Sequence, residues 1–110
     1  MDIAFASSKL EKVFNSERLL NKEYGENGRL IMRRMVILKN AKCLADVPVL
    51  KPERCHPLKG SRKGQFAVDL KHPYRLVFNL QHNPIPLLDD GGVDTTKVSA
   101  IKILGVEDYH

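Results

Sequence analysis

Gln65-Phe66-Ala67-Val68-Asp69-Leu70-Lys71-His72-Pro73-Tyr74-Arg75-Leu76-Val77-Phe78-Asn79-Leu80 is the stretch on which the fold turns. Phe66, Val68 and Leu70 alternate with Gln65, Ala67, Asp69 and Lys71, and then Tyr74, Leu76, Phe78 and Leu80 alternate with Arg75, Val77 and Asn79. A period of two is that of a strand with one face buried. Lys71-His72-Pro73 between the runs is short enough to reverse the chain, so the stretch predicts a β-hairpin. Arg75 has the opposite parity to Tyr74, Leu76 and Phe78. If those pack under helices, its guanidinium emerges on the other face, where it can grip a phosphate through two parallel hydrogen bonds. Standing alone, such an arginine reads first as half of a cross-strand ion pair.

Working back from the hairpin, the period changes. Residues 17–44 carry Leu19, Leu20, Leu30, Ile31, Met35, Ile37, Leu38, Ala41 and Leu44 at three- and four-residue steps, the signature of helix. Gly25 and Gly28 weaken its middle, which leaves either a kinked helix or a turn followed by a helix from about Asn27. Arg29, Arg33 and Arg34 read as a solvated or partner-facing edge, and Pro48 marks the exit. Further upstream, Ser7 or Ser8 precedes Lys9–Phe14, and Ser8 and Glu11 have capping-box spacing, so a short helix is expected there. Residues 2–6 are apolar enough for a strand. Downstream, Gln81–Lys97 holds two prolines, Gly91-Gly92 and aspartates and reads as a long loop, while Val98–Val106 is a last strand. With no β-α-β rhythm, the expected class is α+β, with two N-terminal helices packed on one face of a curved antiparallel sheet.

At 110 residues the chain is expected to be a single domain over 1–110 with one two-layer core. Its composition, 43% hydrophobic and 28% charged, excludes a disordered tail and a disulfide scaffold. No apolar run approaches a membrane span, and the start MDIAFASSKL lacks a signal-peptide h-region, so a cytoplasmic protein is expected. Cys43 and Cys55 form no CxxC pair and have no metal spacing with the histidines, which suits reduced thiols, with Cys43 in the core. No phosphate loop or dinucleotide motif occurs, the loop aspartates lack a calcium pattern, and no cofactor or metal is expected. Lys71-His72 reads as a basic turn and His82 as loop decoration.

The net charge is +5, and the span Lys51 to Arg75 alone holds seven cations against Glu53 and Asp69. A basic field that local favours a polyanionic partner such as RNA, DNA or an acidic protein, and charge alone gives equal weight to a solvated basic face. His56 and Lys59 lie in it just before the hairpin, and Tyr109 and His110 follow the last strand. Histidine and tyrosine move protons, and lysine and arginine hold charge developing on phosphorus. Cleavage of RNA by its own 2′-hydroxyl asks for these functions and for no metal.

His56-Pro57-Leu58-Lys59-Gly60, Lys63-Gly64-Gln65-Phe66-Ala67-Val68, Tyr74-Arg75-Leu76-Val77-Phe78 and Glu107-Asp108-Tyr109-His110, in this order, resemble the HigB branch of the RelE/ParE toxin superfamily. Leu10–Phe14 and Ala41–Pro48 extend the likeness upstream, so it covers most of the chain. The resemblance implies a RelE-like fold and the toxin of a type II toxin–antitoxin pair, a ribosome-dependent endoribonuclease that cuts translated mRNA. It implies catalytic roles for His56, Asp108, Tyr109 and His110, and RNA or phosphate contacts for Lys59, Arg62, Lys63 and Arg75. The implied partners are the ribosome, its mRNA, a HigA-like helix-turn-helix antitoxin and, through that antitoxin, operator DNA. The sequence departs from the family in having Tyr74 where a tryptophan is common, and in the length of Gln81–Lys97. Two other readings share the fold: a non-catalytic ParE-like inhibitor of DNA gyrase, and a catalytically silent domain that binds an antitoxin.

Overall fold

The alternating runs form the hairpin that their spacing dictates. The computed structural model describes residues 1–62 and 64–109. Its strands are β1 (Asp2–Phe5), β2 (His56–Pro57), β3 (Gln65–Asp69), β4 (Tyr74–Leu80) and β5 (Ala100–Asp108), in the spatial order β1-β5-β4-β3-β2. β3 pairs antiparallel with β4, Asp69 facing Arg75 and Phe66 facing Phe78. Tyr74 N donates to Lys71 O at 2.9 Å to close the turn. The turn is anchored from outside, because Lys71 N donates to Asn27 Oδ1 and Lys71 Nζ pairs with Glu26, at 3.0 and 2.8 Å.

The α+β class and its layering stand, with two differences in detail. Three α-helices occur, α1 (Ser8–Phe14), α2 (Glu17–Tyr24) and α3 (Asn27–Asn40). Of the two alternatives for residues 17–44, the turn followed by a helix from Asn27 holds: the chain breaks at Gly25, whose φ of +57° lies in the region open to glycine. Gly28 then lets α3 start against α2, since a Cβ there would stand 2.5 Å from Asn21 Oδ1. The sheet is mixed rather than wholly antiparallel, because β1 joins the edge of β5 in parallel. Parallel pairing requires a long crossover, and here the whole chain between the two strands supplies it.

The caps follow the serines. Ser7, rather than Ser8, caps α1 by accepting from Leu10 N at 3.1 Å, and Ser16 caps α2 by accepting from Leu19 N at 3.2 Å. α3 has no side-chain cap at its start; its last turn is met by Met1 N, which donates to Lys39 O at 2.9 Å. Beneath the helices, Phe66, Val68, Leu76, Phe78, Ile101 and Ile103 pack with Leu20, Ile31 and Leu38. Each such side chain, fully buried, contributes about 1.5–3 kcal/mol.

Arg34 corrects the expectation of a solvated arginine edge. Arg29 and Arg33 are exposed, but Arg34 is 5% exposed. It falls on the stripe Asn27, Ile31, Arg34, Leu38 that faces the sheet, and its Nε donates to Asp69 O at 2.7 Å. Cys43, expected in the core, is only half-buried, and the buried cysteine is Cys55. Burial pushes the Cys55 thiol up to about 12 from its ordinary 9.0. Its thiolate fraction at pH 8 is then about a thousandfold below that of a free thiol. Iodoacetamide at pH 8 should therefore leave Cys55 unmodified in the native protein and label it in urea, as read by peptide mass; rapid native labelling would contradict its burial.

The loop 81–97 is partly ordered by its own contacts. Leu87 bridges Val93, Asp94 caps a 3-10 turn at Thr95–Lys97, and His82 Nε2 accepts from Ser99 N at 3.0 Å. His82 therefore ties the loop to the start of β5 instead of decorating it.

Candidate active site

The face of the sheet away from the helices is organised by register. One row sets Asp69, Arg75 and Glu107 side by side across β3, β4 and β5. The adjacent row runs from His56 through Ala67 and Val77 to Gly105. Ala67 and Val77 are fully buried yet stand outside the helix-side core, so they form an apolar floor between polar residues. The β4–β5 register shifts between Val77 and Phe78, leaving Leu104 as an extra residue in β5. Such a bulge increases local twist and curves the sheet over this floor.

Tyr109 closes the site at one end. Its N donates to Pro73 O at 3.1 Å, extending the β4–β5 pairing past the strand. Its parity matches that of Glu107, and its ring lies 4.9 Å from the Arg75 guanidinium carbon and 6.1 Å from the His72 ring. A cation over an aromatic face contributes about 0.5–2 kcal/mol and orients both groups. Arg75 is only 16% exposed and stands 3.7 Å from Glu107. Its buried Nε meets no acceptor among the described residues, so the site keeps a donor in reserve.

Two further guanidiniums converge on this row. Arg62 donates to Gln65 Oε1 at 2.8 Å and forks onto both oxygens of Glu107. That fork holds the Glu107 carboxyl below its ordinary range, with Arg75 adding to the effect, and raises Arg62 in turn. Arg54 forks onto Asp69, Nε to Oδ2 at 2.6 Å and Nη2 to Oδ1 at 2.9 Å. Asp69 is the main reason the Arg54 guanidinium is raised, and Tyr109 adds to the effect. Three arginines thus face two carboxylates around one tyrosine, a net positive site even with every pair formed.

His56 is half-buried on β2, two strands from Arg75 and one pair along, about 12 Å away by strand spacing. Its Nδ1 lies 2.6 Å from Arg54 O. A carbonyl only accepts, so Nδ1 carries the hydrogen and the neutral ring has its lone pair on Nε2. That tautomer suits proton abstraction.

Of the residues singled out from sequence, the structure brings together His56, Arg62, Arg75 and Tyr109. Lys59 is exposed in the β2–β3 connection. Asp108 pairs with Tyr74, and strand alternation sends it to the face opposite Glu107. The carboxylate in the row is therefore Glu107. Lys63 and His110 lie outside the described residues. Asp69 could have been found from sequence, since a turn at Lys71-His72-Pro73 sets residue 69 against residue 75. Arg54 gave no signal, because nothing periodic surrounds it.

A larger cavity, about 840 Å³, lies elsewhere, between the loop 81–97 and the β2–β3 end of the sheet. Leu44, Cys55, Leu58, Phe66, Ile85 and Val93 help to line it, and its walls offer no arginine or carboxylate. Size favours that cavity as a site; the convergence of charge favours the outer face.

No family model matches the sequence, and no curated protein matches it. Among solved structures, the chain is similar to the YoeB/ParE toxin from Agrobacterium tumefaciens, with a TM-score of 0.54 over 100% of both chains at 12% identity. The chain has a RelE/ParE-like toxin fold. In this RelE/ParE-like frame, helices cover one face of the sheet and the arginine–tyrosine cluster occupies the other. No helix is long and apolar enough to cross a membrane among the described residues.

Proposed function

We propose that this protein is the toxin of a type II toxin–antitoxin pair, a single HigB-like domain that cuts mRNA on translating ribosomes in the cytoplasm. The observation that carries this reading is the Arg75 guanidinium held over Tyr109, with an unpaired buried Nε, on the open face of the sheet. A phosphodiester laid across that face meets a fixed cation and an aromatic ring able to stack on a base.

The reaction is transfer within the RNA. The 2′-oxygen attacks phosphorus as its proton leaves, the P–O5′ bond breaks, and the 5′-oxygen takes a proton. The products are a 2′,3′-cyclic phosphate and a 5′-hydroxyl, and no external electron pair or metal is required. His56 Nε2 is suited to accept the first proton. Tyr109 and His110 supply candidates for the second. Arg75 stabilises the phosphorane, and a preorganised donor of this kind contributes about 10²–10³ in rate. Lys59, Arg62 and Lys63 extend the basic track along the message, so affinity for the programmed ribosome falls as salt rises. A HigA-like helix-turn-helix antitoxin would neutralise the protein and carry it to operator DNA.

Expression without an antitoxin should arrest growth and leave 5′-hydroxyl ends inside translated regions, mapped by primer extension. His110→Ala should relieve toxicity while circular dichroism and thermal unfolding stay native, and removal of the last two residues should relieve it with a native circular-dichroism spectrum and a melting temperature a few degrees lower, because the Tyr109 contacts go with them. Full toxicity in those variants would move the chemistry away from the terminal cluster.

A further inference from the structure

Arg54 is held more firmly than a surface ion pair requires. Its backbone sits at φ +44°, the one non-glycine residue with positive φ among those described. An arginine there costs on the order of 1 kcal/mol, and such strain persists only where the surroundings over-determine it. Here they do. Asp69 N donates to Glu53 O at 2.8 Å, fastening the preceding residue to the end of β3. Arg34, buried in the layer beneath, donates to Asp69 O and stands 4.0 Å from the Glu53 carboxylate. Arg54 O receives the His56 ring at 2.6 Å. One short segment therefore sets the Arg54 guanidinium and the tautomer of His56 together.

The Arg54 side chain is 36% exposed. Of its five N–H donors, Asp69 takes two, and three are left for an incoming oxyanion. Its anchor Asp69 faces Arg75 across β3 and β4, and Arg75 covers the Tyr109 ring, so the two guanidiniums border one patch.

The geometry points to Arg54 as a second phosphate ligand, which grips with Arg75 the backbone of a single-stranded RNA lying over Tyr109, with Asp69 and Arg34 as its positioning residues. The identity of that phosphate rests on the endoribonuclease reading above; the anion site itself does not. Asp69 aims the fork in the free protein, and the phosphate takes the remaining edge.

Two measurements test this. The first uses ribosomes programmed with a message that is 2′-deoxy at the decoding-site codon, so that binding is read without cleavage. The charge-balanced double variant Arg54→Gln/Asp69→Asn should flatten the plot of log affinity against log salt by about 0.7–0.9, one phosphate contact. A purely structural pair would lower thermal stability and leave the slope at its wild-type value, which would overturn the proposal. The second needs no variant, in case the double variant does not fold. Inorganic pyrophosphate is titrated into the wild-type protein while the Arg54 and Arg75 Nε–H resonances are followed. Both should move and saturate together. Movement of Arg75 alone would leave Arg54 structural, and movement of neither would remove the anion site. If wild-type protein cuts no ribosomal message but both resonances move, the endoribonuclease reading fails and the anion site stands.

Discussion

Arg75→Gln should lower single-turnover cleavage of ribosome-bound message about 10²–10³-fold and leave the protein folded. The loss is large because glutamine reaches a similar distance but presents one neutral amide in place of a delocalised cation. The charge developing on the phosphorane then has no fixed partner. Folding survives because Glu107, the carboxylate beside Arg75, keeps its fork from Arg62 and is not left as an isolated buried charge. The cation–ring contact with Tyr109 is also lost, at about 0.5–2 kcal/mol, so the melting temperature should fall by a few degrees. Arg75→Lys keeps the charge but not the fork, and should recover only part of the rate. Rapid-quench assays at saturating ribosome separate these effects from binding. A rate within about threefold of wild type for Arg75→Gln would remove the arginine from the reaction.

Phe78→Ala should cost about 3–5 kcal/mol of folding stability. Phe78 is 0% exposed, in the middle of β4, between the helices and the sheet neighbours Phe66 and Ile103. Its ring stacks on Phe66 with centroids 6.3 Å apart and planes 18° apart. Alanine would forfeit that contact and leave a cavity that a hydrogen-bonded sheet cannot collapse to fill. Since a domain of this size is stable by about 5–15 kcal/mol, the variant loses a large share of its margin. Urea denaturation should show a lower midpoint with an unchanged slope. A cost under about 1 kcal/mol would mean that the helix layer repacks freely over the sheet, at odds with close-packed interiors.

Much of the architecture was legible along the chain because it rests on local patterns. The hairpin at 65–80 is written in parity and in a short turn, and the helices in the three- and four-residue recurrence of apolar residues such as Ile31, Met35 and Leu38. Parity also directs Arg75 and Tyr109 to one face. By the same logic Glu107, and not its neighbour Asp108, belongs beside Arg75, which the motif alone obscures. Arg34 shows where local reading fails: a charge beside two exposed arginines resembles a solvated edge until a carbonyl from β3 is found waiting for its Nε.

The amino-acid order by itself determined the class of fold, the hairpin and its register, and the concentration of positive charge between Lys51 and Arg75. Each depends on residues within about one strand or helix of one another, so spacing suffices. Only the tertiary structure decided that β1 closes the sheet in parallel, that Arg34 is buried, and that Arg54 forks onto Asp69 opposite Arg75. Those contacts join segments separated along the chain, and they form because a buried or forked guanidinium must find a partner wherever the packed chain brings one.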